Sequence, residues 1–243
     1  MIYGGSASEA AERSRAVHVN GRDYILHGCV GTSPVRGIYV EGNEANDDGR
    51  PQGFLVHQPA GAVTLPHFHE CDQFQVVVGG SGRVGKRQAR PLTVQYANAH
   101  TPYGPIIADD DGIQYFTLRA RWDPGAKYMP ESRDKLVKGN QRTRLVGDID
   151  GSESRSVIEP EADGLAARLL CLEPGERGSA GDPAGSGGQY IIVADGDMVR
   201  GEEALERLSC LFVTADEPAF TFQAGDAGLA LLVLQLPRSS MPG

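Results

Sequence analysis

One eight-residue pattern occurs twice in this chain. Gln73-Phe-Gln-Val-Val-Val-Gly-Gly80 returns as Gln189-Tyr-Ile-Ile-Val-Ala-Asp-Gly196, with the same Gln-x6-Gly spacing. Each copy is a short run of β-favouring residues that ends at a glycine turn, as a strand does. Upstream, Pro59-Ala60-Gly61 lines up with Glu173-Pro174-Gly175. The chain therefore reads as two copies of one unit built from strands. Strands are expected at 23–29, 36–41, 53–58, 83–88, 91–97 and 112–121. Residues 123–140 read as a linker with a short helix, Pro130 in its first turn and Gly139 at its end. The strand rhythm then resumes at 143–147, 153–158, 164–172, 188–194, 208–214, 218–223 and 228–236. Ser6-x-x-Glu9 before Ala10 marks a capping box for a short N-terminal helix, with a mobile arm as the alternative.

The two copies differ in chemistry. All six histidines (His18, His27, His57, His67, His69 and His100) lie in the first hundred residues. His67 and His69 are one residue apart on an extended segment, so both imidazoles point to one side. Gln73 keeps their parity, and Gln75 and Val77 follow it. The second copy has only the small residues Ser179 to Gly188 in the place of the His pair, and these cannot supply nitrogen ligands to a transition metal.

The spacing Gly61-x5-His67-x-His69-x3-Gln73-x6-Gly80 resembles the first signature motif of the cupin superfamily, which carries Glu where this chain has Gln73. Val94-Gln-Tyr-Ala-Asn-Ala-His100-Thr-Pro-Tyr103 takes the place of the second motif, with Gln95 and Ala97 instead of its Pro and Gly. Phe212 to Phe220 resembles that motif again, with Ala219 where the histidine would be. The resemblance implies an all-β fold of two tandem jelly-roll barrels (double-stranded β-helix), a bicupin with a degenerate C-terminal copy. The expected division is 1–122 for the barrel with the site, 123–140 for the linker and 141–243 for the degenerate barrel.

By the same resemblance His67, His69, Gln73 and His100 would hold one divalent transition metal, iron first, with manganese, nickel or zinc as alternatives. Three imidazoles and an amide oxygen disfavour calcium and magnesium. Gln in place of Glu leaves the metal a stronger Lewis acid and removes a carboxylate base. Gln75 and Tyr103 are the candidates for contact with substrate. Arg119 and Arg121 share a strand face with Tyr115 and Thr117; solvent is their default, and an arginine turned inward would clamp a carboxylate. His57 reads as a sheet or surface histidine, and Cys71 as a small residue in a turn.

The formal net charge of -9 argues against nucleic acid and anionic membranes as partners. No apolar run is long enough to span a bilayer, and the N-terminus has no basic, then apolar, export pattern. Cys29, Cys71, Cys171 and Cys210 show no C-x-x-C spacing and fit reduced core residues of a cytoplasmic protein. The expected function is a metal-dependent enzyme on a small oxygenated molecule, either a dioxygenase or a Lewis-acid lyase or isomerase. A non-catalytic small-molecule or sugar-binding cupin is the alternative. The partner is a small-molecule substrate, with a homodimer as an option.

Overall fold

The computed structural model describes residues 1–238, and these divide into two compact units. The first is Arg13–Asp148; the second joins Met1–Glu12 to the chain from Ile149 onward. Two segments thus group otherwise than the sequence suggested. Strand β1 (Ile2–Gly5) and the short helix α1 (Ala7–Glu12) belong to the second unit, and residues 123–148 belong to the first. The capping box forms: Ser6 Oγ accepts from the Glu9 N–H at 3.1 Å, and Glu9 Oε2 accepts from the Ser6 N–H at 3.2 Å.

In the first unit, β2 (Ser14–Val19) and β3 (Arg22–Val30) form a hairpin through Asn20-Gly21. Both turn residues have positive φ, 48° and 77°, as a two-residue turn matched to strand twist requires. Then come β4 (Gln52–Gln58), β5 (Val63–Thr64), β6 (His67–Phe68), β7 (Gln73–Val84), β8 (Arg87–Ala89), β9 (Val94–Ala97), β10 (Ile106–Arg119), β11 (Lys127–Tyr128) and β12 (Thr143–Val146). The large antiparallel sheet runs β12-β9-β7-β10-β4-β3-β2, with β5 on β10 and β8 on β7; β6 and β11 form a separate pair. The strand expected at 36–41 is absent; the segment is held instead by single bonds, the Tyr39 N–H to the Ala126 carbonyl and the Tyr128 hydroxyl to the Gly37 carbonyl. The linker helix is absent as well. Residues 123–140 hold β11 and one 3-10 turn at Arg133–Lys135: Lys127–Met129 are bonded to β6 and Pro66, and beyond Pro130 the backbone bonds to itself only in short local turns.

The second unit holds β13 (Arg155–Ile158), β14 (Ala166–Leu172), β15 (Arg177–Ser179), β16 (Gln189–Arg200), β17 (Glu203–Glu206), β18 (Cys210–Val213) and β19 (Thr221–Gln235). Its sheet runs β1-β18-β16-β19-β14-β13. The repeat seen in sequence is structural. Gly80 and Gly196, Leu92 and Leu208, and Gly112 and Gly228 recur at one constant offset, all with positive φ. At Gly80 and Gly196 a side chain would run into the carbonyl of Gly112 or Gly228, so glycine is required there. The barrels differ inside: Ile191, Val193, Met198, Leu211, Leu231 and Val233 fill the second unit with apolar side chains. No helix among the described residues is long and apolar enough to cross a membrane.

Because β1 covers the edge of β18 along Ile2↔Val213 to Gly5↔Cys210, deleting residues 1–6 is expected to expose that edge. Hydrogen exchange at the Cys210–Val213 amides should speed up at least tenfold. Unchanged protection would show that β1 does not hold the edge.

Candidate functional site

Three neighbouring strands put three polar side chains abreast. Arg119 on β10 lies opposite Gln73 on β7 and opposite Gln52 on β4. Alternation along β10 carries Tyr115, Thr117 and Arg119 to the barrel interior, where Arg119 is only 2% exposed. Its Nε donates to Gln73 Oε1 at 3.0 Å and its Nη1 to Gln52 Oε1. Asp123 Oδ1 stands 3.9 Å from Nη1. A cation this deep is stable only when paired and hydrogen-bonded, and these partners supply both.

The histidine pair faces the same space. His67 Nδ1 lies 2.7 Å from the Leu65 carbonyl, which only accepts, so Nδ1 carries the hydrogen. His69 Nδ1 lies 2.6 Å from Asp123 Oδ1 and donates to that carboxylate. Each ring therefore has its lone pair on Nε2. Arg119 Nη2 is 3.0 Å from His69 Nε2 and 3.1 Å from Nδ1; since Nδ1 is spent on Asp123, Nε2 is the acceptor. The two imidazoles are 5.2 Å apart and perpendicular. Burial lowers the His67 pKa to about 3, with the charge near His69 and Arg119 adding to it. Burial, then Arg119, lowers that of His69, and both rings are neutral at pH 7.

Asp123 fixes this end of the site. Burial alone would raise its carboxyl, but His69, the Arg119 guanidinium and the Gly125 N–H outweigh that and hold it below the usual range. It also accepts from the Glu70 and Gly125 N–H groups, each at 2.9 Å, and from Cys71 Sγ at 3.6 Å. Burial pushes the Cys71 thiol well up, so it stays a thiol.

His67, His69 and Gln73 come together as the spacing suggested; His100 does not join them. A left-handed turn (φ 57°) at His100 sends its ring to Phe68, 5.7 Å away and on the opposite strand face from His67 and His69. Its Nδ1 accepts from the Val137 N–H at 3.4 Å. Among the described residues no three His, Cys, Asp or Glu side chains are grouped as a metal would need. Tyr103 pairs with His67 on one side, through two backbone hydrogen bonds and a ring contact of 4.5 Å, and Tyr128 pairs with it on the other. Gln75 Nε2 donates to the Tyr103 hydroxyl at 3.2 Å, and both residues line the cavity. Arg121 reaches the Glu70 carbonyl from the surface, and His57 lies beside His27 on the other face of the sheet.

The cavity measures about 80 Å³. His67, His69, Arg119, Gln75 and Tyr103 form its polar end, and Val17, Leu26, Phe54 and Val56 are among its apolar walls. The phenols of Tyr24, Tyr115 and Tyr128 are tied to Thr64, Gln58 and Gly37, so they act as fixed walls. The resemblance implies a metal here, and the tautomers of His67 and His69 suit one: each Nε2 is a free-electron-pair donor whose Nδ1–H is anchored outward. The structure adds a condition. Arg119 holds His69 Nε2 and Gln73 Oε1, so a metal must displace it from both.

No protein-family model matches the sequence, and no curated protein does. Solved structures match in fold. Bacterial pirin YhhW from Escherichia coli, in complex with nickel(II), is 14% identical with a TM-score of 0.60, over 98% of this chain and 100% of that one. Streptomyces albus HEPD, with 2-hydroxyethylphosphonate and Fe(II) bound, is 9% identical with a TM-score of 0.54, over 99% and 77%. Quercetin 2,3-dioxygenase from Acinetobacter baumannii is 15% identical with a TM-score of 0.50, over 92% and 77%. At these identities the likeness carries architecture and not activity: the chain has the jelly-roll fold of the cupins.

Proposed function

We propose that the chain is a bicupin whose first unit is a metal-dependent enzyme acting on one small oxygenated molecule in the barrel cavity. The observation that carries this reading is the pair of inward Nε2 lone pairs on His67 and His69, each fixed by an outward Nδ1 hydrogen bond. Structures of the same fold hold nickel(II) or Fe(II), which supports a divalent metal, with iron as our choice. His67 and His69 would bind it through Nε2 and Gln73 through Oε1. Such a metal supplies a Lewis acid for an oxygen of the substrate, in a dioxygenase or in a lyase or isomerase. The chain itself holds both imidazoles neutral, orients them, and closes the cavity with fixed phenols. The second unit has Gln189, Gln235 and Ala166 at the register positions of Gln73, Arg119 and Gln52, and we read it as structural. Four unbridged cysteines fit a reducing, cytoplasmic compartment.

A second reading is favoured by Arg119. Its guanidinium already touches His69 and Gln73, so it could serve as the cation of a metal-free site that binds a small anion without catalysis. Titration of the purified chain with Fe(II) or Ni(II), followed by calorimetry and elemental analysis, separates the two. The first reading expects one equivalent per chain, lost in His67→Ala. No uptake, with a carboxylate bound equally well before and after chelation, would establish the second.

A further inference from the structure

A small recess behind Gln75 carries two carbonyl oxygens with nothing to accept from. Gln75 on β7 and Gln95 on β9 are direct register partners, 7% and 5% exposed. The Oε1 atom of each is buried and has no hydrogen-bond partner. Both residues wall a recess of about 10 Å³ with Val77, Val84, Ile106 and Ile113. Gln75 and Tyr115 line this recess and the main cavity alike, so they form the wall the two share. The Gln75 Nε2 donates to the Tyr103 hydroxyl, which leaves its Oε1 as the free acceptor. Two orphan acceptors side by side are rare in a folded interior, and what they lack is a donor.

We propose that this recess is a hydroxyl-selecting subsite and that the molecule bound in the barrel is a hydroxy acid. It rests on the reading of the cavity as the site of a small oxygenated molecule. The acid group lies at the polar end by Arg119 and the histidines, and the hydroxyl donates to Gln75 and Gln95. The register sets the spacing. Arg119 lies opposite Gln73, and Gln73 and Gln75 are one strand repeat apart along β7, about 6.5–7 Å, with Gln95 one strand further across from Gln75. A hydroxyl about four bonds from the carboxylate carbon spans most of that length and a 2-hydroxyl does not. The apolar side chains of Phe54 and Val56 line the cavity and suit the hydrocarbon between the two groups.

Calorimetry on the whole chain with butyrate, 2-hydroxybutyrate and 4-hydroxybutyrate tests this. The 4-hydroxy acid should bind at least tenfold tighter than butyrate, and the 2-hydroxy acid no tighter than butyrate. In Gln95→Met the tenfold preference should fall to within twofold. That variant should melt no lower than the parent, because an orphan acceptor has been removed. Equal affinity of the parent for butyrate and 4-hydroxybutyrate would overturn the subsite, leaving the recess with a resident water and the cavity reading intact. Tighter binding of the 2-hydroxy acid would place hydroxyl recognition at the acid end and also overturn it. Failure of all three acids to bind would sink the subsite together with the small-acid reading. The parent's ranking of the acids decides the matter even if Gln95→Met does not fold.

Discussion

Asp123→Asn is expected to destabilise the first unit by about 3–5 kcal/mol, as breaking a buried charge pair does. In a domain of this size that lowers its melting temperature by roughly 6–20 °C. Asp123 receives hydrogens from His69 Nδ1, from two backbone N–H groups and from Cys71, and it faces the Arg119 charge. Asparagine would turn an NH₂ toward one of those donors and leave Arg119 without an anion. The pH dependence has a definite sign. The carboxyl is held below its ordinary value of 3.8, so its contribution is present above about pH 4 and lost as pH falls through the folded value. The stability gap between parent and variant should therefore narrow below about pH 4. Urea melts at several pH values read this directly; a gap constant down to pH 2.5 would show that Asp123 is not the ionised partner.

Arg119→Met should also cost about 3–5 kcal/mol at pH 8, since it strands the Asp123 carboxylate and orphans Gln73 and Gln52. Its pH profile should differ from that of Asp123→Asn. After burial, Arg119 is the next cause that keeps the His69 pKa low, so removing it lets His69 take a proton beside Asp123. In the parent the lowered His69 pKa costs stability as pH falls below the unfolded value of 6.5, and the variant, with Arg119 gone, escapes part of that cost. The variant should thus recover part of its loss between pH 8 and pH 5.5. If His67 and His69 hold a metal, the same substitution should tighten it at least tenfold by freeing His69 Nε2 and Gln73 Oε1. Melting curves that match the parent at both pH values would mean that Arg119 carries no buried charge pair.

The strand alternation was legible because it depends on neighbours in sequence: His67 with His69, and Gln73 with Gln75 and Val77, do share a face. The paired glycines of the repeat were legible because each is forced by a local backbone turn. Register across the barrel was not. Arg119 stands in step with Tyr115 and Thr117, but a charged residue at a strand end gives no sign of whether its partners lie inside. Only the alignment of Gln73 and Gln52 on either side of it decides that. Asp123 sits in an Asp-Pro-Gly segment that reads as an ordinary turn, and its role comes from His69, Glu70 and Cys71, distant in sequence, and from Arg119 and Gly125 on either side of it. His100 was placed by motif spacing, and one left-handed residue was enough to aim it at Phe68 instead of the cavity.

The pairing of Ile2 with Val213 makes the order of synthesis matter. The first unit can close as soon as its last strand, Thr143–Val146, has left the ribosome. The opening segment must wait for a partner that is made near the other end of the chain. At roughly 5–20 residues per second that wait is about 10–40 s. For roughly the last 3–13 s of it, while residues 147–213 are made, the first barrel is finished and the segment is still a loose strand, open to capture by a chaperone or by another nascent chain. Bringing its two ends together closes a long loop, so the second unit should be the slower folder even though its interior is the more apolar.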